Sequence, residues 1–94
     1  MTKEVKNFEH LWEDAEQVSE KKYGLKDFNS LIKELQDLIT DLSKIDNLST
    51  DLSVKNFIKQ KKIGEILFKL CQFSNLEKIN VYEALMNEIE LEKL

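Results

Sequence analysis

Acidic side chains at helical spacing are the residues of this chain best suited to chemistry. Three of them recur at intervals of three and four positions: Glu34, Asp37 and Asp41. This spacing places the three carboxylates in one stripe beside the apolar face of a helix. In a later segment, Glu65 also flanks an apolar face, with Lys62 and Lys69 about one turn before and after it.

Carboxylates gathered at one place repel one another unless a cation lies among them. If the two acidic helices are antiparallel neighbours, Glu34 and Asp37 face Glu65 across a narrow gap, with Gly64 at the closest approach. Oxygen-only ligands suit a hard divalent ion, which here means Mg²⁺ or alternatively Mn²⁺. Periodicity by itself favours a simpler interpretation, in which the same acids are solvated helix faces with ordinary ion pairs such as Glu65–Lys69.

Other kinds of reactive site find little support in the residues. His10 and Cys71 are the single histidine and cysteine, so a zinc site built from such ligands cannot be assembled. Cys71 lies among apolar residues, where a thiol is usually buried and inert, and a His10–Cys71 catalytic pair is therefore disfavoured. Gly24 and Gly64 are too far apart to form a phosphate-binding loop.

The apolar pattern predicts four amphipathic helices joined by short connections. Their expected extents are Thr2 to Gly24, Asp27 to Ile45, Val54 to Leu76, and Asn80 onwards. Residues 46–53 are turn and cap formers and form a connection. The sequence therefore predicts an all-α fold, with a four-helix bundle as the architecture.

The third helix does not keep one apolar face. Val54, Phe57 and Ile58 lie roughly opposite the later apolar residues at about 100° per residue. Either the helix breaks near 59–62, or its first two turns pack against a different neighbour. In so short a chain that neighbour can be a second subunit, and we expect these side chains to bury there with part of the Phe8–Trp12 face. A homodimer or higher homo-oligomer formed through helices is the expected assembly.

Composition limits the fold class and the partners. The chain of 94 residues is 41% hydrophobic and 34% charged, which fits a single domain spanning 1–94. Proline is absent and glycine occurs twice, which argues against a β-rich fold with many tight turns. No apolar run is long enough for a membrane span or a signal peptide, and a single cysteine fits a reducing compartment, so a cytoplasmic location is expected. A net charge of -4 disfavours general nucleic-acid binding.

Three stretches resemble the MazG-like all-α nucleotide pyrophosphohydrolases. The run 31–42 (LIKELQDLITDL) is similar to that family's metal-binding helix, with its Glu-Glu-x-x-Glu motif. The run 61–70 (KKIGEILFKL) is similar to the second motif, Glu-Glu-Leu-Gly-Asp followed by Leu-Leu-Phe. The run 78–85 (KINVYEAL) is similar to Gly-Ile-Asp-x-x-Glu-Ala-Leu. The resemblance covers 28–90, about two thirds of the chain.

This resemblance implies a MazG-type bundle, a nucleotide ligand and a Mg²⁺-dependent activity. A nucleoside triphosphate would be cleaved between its α and β phosphates, giving the monophosphate and pyrophosphate. Metal held by Glu34, Asp37 and Glu65 would activate a water molecule, and Asp41 is the local candidate to accept its proton.

One departure from the family pattern affects the metal site directly. Lys62 stands where the family places a fourth acid, and an ammonium group cannot bind a divalent cation. We expect Lys62 to pair with Glu34, Asp37 or Glu65, which would turn the metal site into a salt-bridged remnant. An enzyme and a catalytically impaired family member are therefore both open, as is an unrelated helical module that acts through protein contacts.

Overall fold

The computed structural model describes residues 7–24 and 27–94 of the chain. Within them the elements follow in the order α1 (Phe8–Tyr23), α2 (Phe28–Lys44), a short 3-10 turn (Ile45–Asn47), α3 (Leu52–Glu77) and α4 (Val81–Glu92). The structure is 86% helical with no strand in the described ranges, which confirms the all-α prediction. None of the described helices is both long and apolar enough to cross a bilayer.

Side-chain caps fix where the helices begin. In each case the cap oxygen accepts a hydrogen bond from the backbone N–H three residues later: Asn7, Asp27, Asp51 and Asn80. The starts predicted at Asp27 and Asn80 are confirmed. The third helix starts two residues before the predicted Val54, because Asp51 caps it. The start predicted at Thr2 lies outside the described residues.

Helices α2 and α3 are antiparallel neighbours, as the sequence predicts. Three ion pairs join this hairpin: Asp46–Lys59 at 2.7 Å, Asp41–Lys62 at 3.7 Å and Glu34–Lys69 at 2.9 Å. Residue numbers fall along one partner of these pairs as they rise along the other, which is the pattern of antiparallel chains. Phe28 and Phe73 pack at the far end of the hairpin, with ring centroids 5.3 Å apart.

Helix α3 runs unbroken through 59–62. Of the two explanations for its change of apolar face, the break is therefore wrong. The side chain of Phe57 is 69% exposed and that of Val54 is 42% exposed. Ile58, by contrast, is half-buried, and Lys59 pairs with Asp46 of the 3-10 turn. The second explanation, a separate neighbour for the exposed side chains, stays a prediction.

The hydrophobic core is small and lies where α1 and α2 meet α3. Its buried apolar side chains are Trp12, Leu31, Leu35, Ile45 and Cys71. Helix α4 stands apart from this core, since none of its residues is buried. The Tyr82 hydroxyl donates a hydrogen bond to the backbone oxygen of Glu9 at 3.2 Å and connects α4 to the start of α1.

Candidate functional site

The predicted metal ligands meet in one cleft between the end of α1, α2 and α3. This acidic cleft has a volume of about 530 Å³ and is lined by Tyr23, Glu34, Asp37, Leu38, Gly64, Glu65, Phe68 and Lys69. The antiparallel packing of α2 and α3 brings Glu34, Asp37 and Glu65 to the same opening. Asp41, the predicted proton acceptor, lies one turn further along α2 and does not line the cleft.

Lysine side chains pair with the carboxylates of the cleft. The Lys69 ammonium lies 2.9 Å from Oε2 of Glu34, and the Lys69 side chain is 19% exposed. Lys62 Nζ lies 3.7 Å from both Glu65 Oε2 and Asp41 Oδ2. The expected pairing of Lys62 is thus confirmed for Glu65. Lys69, rather than Lys62, is the residue whose ammonium reaches Glu34.

Two aromatic rings form the apolar side of the cleft. Tyr23 and Phe68 meet edge to face, with ring centroids 6.3 Å apart. The Lys69 ammonium also lies 5.8 Å from the centroid of the Tyr23 ring. Lys69 is therefore attracted both by a carboxylate and by the face of an aromatic ring. Tyr23 and Phe68 were not among the site residues expected from sequence, because their meeting depends on how α1 crosses α3.

Gly64 does not lie at a close approach of α2 and α3, and that prediction is wrong. A Cβ atom built on Gly64 would meet no neighbouring heavy atom within 4 Å. The long charged side chains of the ion pairs bridge the two helices instead. Gly64 faces open space and lines two depressions, the acidic cleft on one side and a smaller one on the other.

The fit of a divalent cation to this cleft can be judged from the donor atoms. In residues 7–24 and 27–94, no three acidic, histidine or cysteine side chains are arranged to hold a metal ion together. Glu34, which a cation would need, already has an ammonium group as its neighbour.

The single cysteine is held in a protonated form. Cys71 is fully buried, and its Sγ lies 3.6 Å from the backbone oxygen of Trp12, to which the thiol donates a weak hydrogen bond. Burial, with a smaller effect of the nearby Glu16 carboxylate, raises the pKa of Cys71 to about 11. A neutral, buried thiol is a poor nucleophile, which agrees with a structural role.

The chain was compared with protein-family models, curated proteins and solved structures, and none of the three comparisons gives a match.

Proposed function

We propose that this chain is a helical interaction module that acts through protein contacts and whose acidic cleft holds its own lysines instead of a catalytic metal. The observation that carries the proposal is the exposure of α4, a helix of 12 residues in which no side chain is buried. Its large apolar residues Leu85 and Met86 are 57% and 63% exposed. An apolar helix face left in water is characteristic of a surface that another chain covers.

The charges in the acidic cleft support the same proposal. A hard divalent ion is held largely by anionic oxygens, and each ammonium group placed among them lowers the attraction. Lys69 at Glu34 and Lys62 near Glu65 supply two such groups. On this proposal the chain retains a MazG-type arrangement of acids, as the resemblance implies, while lysines neutralise the positions that would hold the metal.

A working pyrophosphohydrolase is the second candidate. It is favoured by the convergence of Glu34, Asp37 and Glu65 in a cleft of about 530 Å³, a volume within the usual range for small-molecule sites. Tyr23 and Phe68 would offer ring faces to a nucleotide base there. For this function Lys69 would have to leave Glu34.

Metal binding and turnover distinguish the two candidates. We would titrate the wild-type protein with Mg²⁺ and Mn²⁺ by calorimetry and measure pyrophosphate release from a panel of nucleoside triphosphates. The interaction module predicts weak ion binding and no release above a protein-free control. Robust turnover by the wild-type protein would overturn it.

Lys62→Glu is the matched variant for this experiment. It restores an acid at the position where the resemblance expects one and changes the local charge by two units. The divalent-ion affinity should therefore rise above that of the wild-type protein. An unchanged affinity would show that the acids of the cleft do not form a remnant of a metal site.

A further inference from the structure

A second depression lies between α1 and α3, and no charged side chain lines it. This apolar groove has a volume of about 180 Å³ and is lined by Phe8, Leu11, Trp12, Ala15, Gly64, Leu67 and Phe68. Trp12 forms its buried floor, whereas Phe8, Leu11 and Leu67 are 50%, 52% and 41% exposed. In the part of the chain that the structure describes, the groove is thus an exposed apolar surface continuous with the core.

Gly64 gives this groove room for the backbone of another helix. Glycine in the middle of a helix costs about 1 kcal/mol relative to alanine, and neither α1 nor α2 comes close enough to require it. A partner that packs closely on this side of α3 would require it. Phe57, 69% exposed, lies two turns earlier on α3, in line with Gly64, and adds an exposed apolar side chain to this side of the helix.

Helix α4 presents an exposed apolar face, as the groove does. Val81, Leu85, Met86 and Ile89 follow the spacing of one helix face, and the last three are 57%, 63% and 43% exposed. Glu83 and Glu90 lie towards the other side of the helix, whereas Glu88 and Glu92 border the apolar face at the end of the helix. Within the described residues, the chain therefore carries both an open apolar groove and an amphipathic helix that touches α1 at its first turn and leaves the rest of its apolar face exposed.

We propose that α4 of one copy of this chain occupies the apolar groove of a second copy, in a reciprocal twofold dimer. The contact between α4 and the groove would then form twice, as a twofold interface requires. Both open surfaces of each copy would be covered. This inference rests on the proposed function and names its partner as an identical chain.

The exposed area is of the size that such a dimer needs. The contributing side chains are Phe8, Leu11, Phe57, Leu67, Leu85, Met86 and Ile89, each 41–69% exposed. Together they present roughly 700 Å² per copy, close to the ~800 Å² per partner of a standard stable interface. Other proteins could use the same surface, but the chain already supplies a matching helix.

The first test compares two leucines of α4 by sedimentation equilibrium. Leu85 lies on the apolar face, whereas Leu91, 62% exposed, lies about 120° around the same helix from Leu85 and outside that face. We expect a wild-type dimer at micromolar concentration. Leu85→Glu should weaken it by about 100-fold, because two carboxylates enter the apolar contacts of each dimer. Leu91→Glu should leave it intact.

The second test changes the groove without disturbing the packing within a single chain. Gly64→Leu fills space that is open in the single chain, so its helical circular dichroism should equal that of the wild-type protein while the dimer is lost. Gly64→Ala should weaken the dimer less.

A third test mixes Leu67→Cys protein with Leu85→Cys protein under mild oxidation, and a mixed disulfide should form faster than either like pair.

Three outcomes would overturn the inference. The first is a wild-type protein that is monomeric at about 100 μM. The second is a dimer that survives both Leu85→Glu and Gly64→Leu, and the third is cross-linking that favours like pairs. None of these would bear on the acidic cleft. The proposed function fails separately, through pyrophosphate release by the wild-type chain.

Discussion

The ammonium group of Lys69 is paired with a carboxylate of the acidic cleft. It lies 2.9 Å from Glu34 and over the face of Tyr23, and its side chain is 19% exposed. Partial burial makes this ion pair less screened by water than an ordinary surface pair. Lys69 therefore contributes to stability and at the same time occupies the position that a cationic ligand would take.

Replacing Lys69 by methionine should lower the free energy of unfolding by about 0.5–1 kcal/mol, because a partly buried pair at good distance is lost while the aliphatic stem is kept. The effect should shrink as salt is added. Lys93→Met is the control, since Lys93 and Glu90 are 68% and 76% exposed and 3.6 Å apart, and its loss should be close to zero. Urea unfolding of both variants measures the difference, and equal effects would contradict the special role of Lys69.

The thiol of Cys71 provides a residue-scale probe of the core. With its pKa raised to about 11, the folded protein should react with an aromatic disulfide reagent at pH 8 roughly 100-fold more slowly than a thiol with a pKa of 9, from thiolate fraction alone. An unfolded chain binds fewer protons at Cys71 above pH 9, so stability should fall as the pH rises from about 9 to 11. Cys71→Ser should remove this alkaline component, and rapid labelling of the native protein would contradict the burial.

At the residue scale, the sequence identified the acids of the cleft and the pairing of Lys62 with Glu65, but not the pairing of Lys69 with Glu34. Periodicity alone places Glu34 and Asp37 on one helix face. Because a short connection makes the next helix antiparallel, the approach of these two acids to Glu65 was predictable. The pairing of Lys69 with Glu34 depends on the register between the two helices. Register is decided by core side chains such as Leu31 and Leu35, and their packing depth cannot be read from spacing.

At the scale of the elements, cap residues account for most of the helix boundaries. The Asp51 carboxylate accepts hydrogen bonds from the backbone N–H of Val54, at 2.9 Å, and from the Ser53 hydroxyl, at 2.8 Å. These bonds stabilise the charged form and lower the pKa of Asp51. A cap of this kind is a local signal, which explains why it could be predicted from sequence to within two residues.

Acid should weaken the start of α3 through this cap. Because the pKa of Asp51 is lower in the folded chain, its contribution is present above about pH 4, near the ordinary aspartate value, and is lost as the pH falls through the folded-state pKa. Asp51→Asn keeps a hydrogen-bond acceptor but cannot titrate. The melting temperature of this variant should therefore fall less steeply between pH 5 and 2 than that of the wild-type protein. Asp51→Ala lacks the cap at every pH and should melt lower at pH 7 as well. Parallel curves for wild type and Asp51→Asn would rule out this effect.

The element that the sequence could not position is α4. Its start at Asn80 and its apolar face at Val81 and Leu85 follow from capping and periodicity. Where that face docks depends on long-range contacts, and within the single chain it meets almost none. An amphipathic pattern predicts that a face is covered without saying by which chain.

At the scale of the whole molecule, the single chain is too open for its length. Its radius of gyration is 15.5 Å, whereas a compact domain of this size has a value of about 12.4 Å. The five buried apolar side chains among the described residues form a core that is small even for a marginal domain. The sequence indicated this shortage of core through the change of apolar face in α3, and the structure locates it at the apolar groove and α4.

If dimerisation completes this core, thermal stability must depend on protein concentration. Association that favours the folded chain stabilises it by mass action, and each tenfold rise in concentration is worth about 1.4 kcal/mol per dimer. For a chain of this length, the melting temperature of the wild-type protein should rise by about 3–5 °C per tenfold increase in concentration. Leu85→Glu should melt at one temperature throughout, at or below the wild-type value at the lowest concentration, whereas Leu91→Glu should follow the wild-type slope. A melting temperature independent of concentration in the wild-type protein would mean that the open surfaces of α1, α3 and α4 are not completed by a second copy.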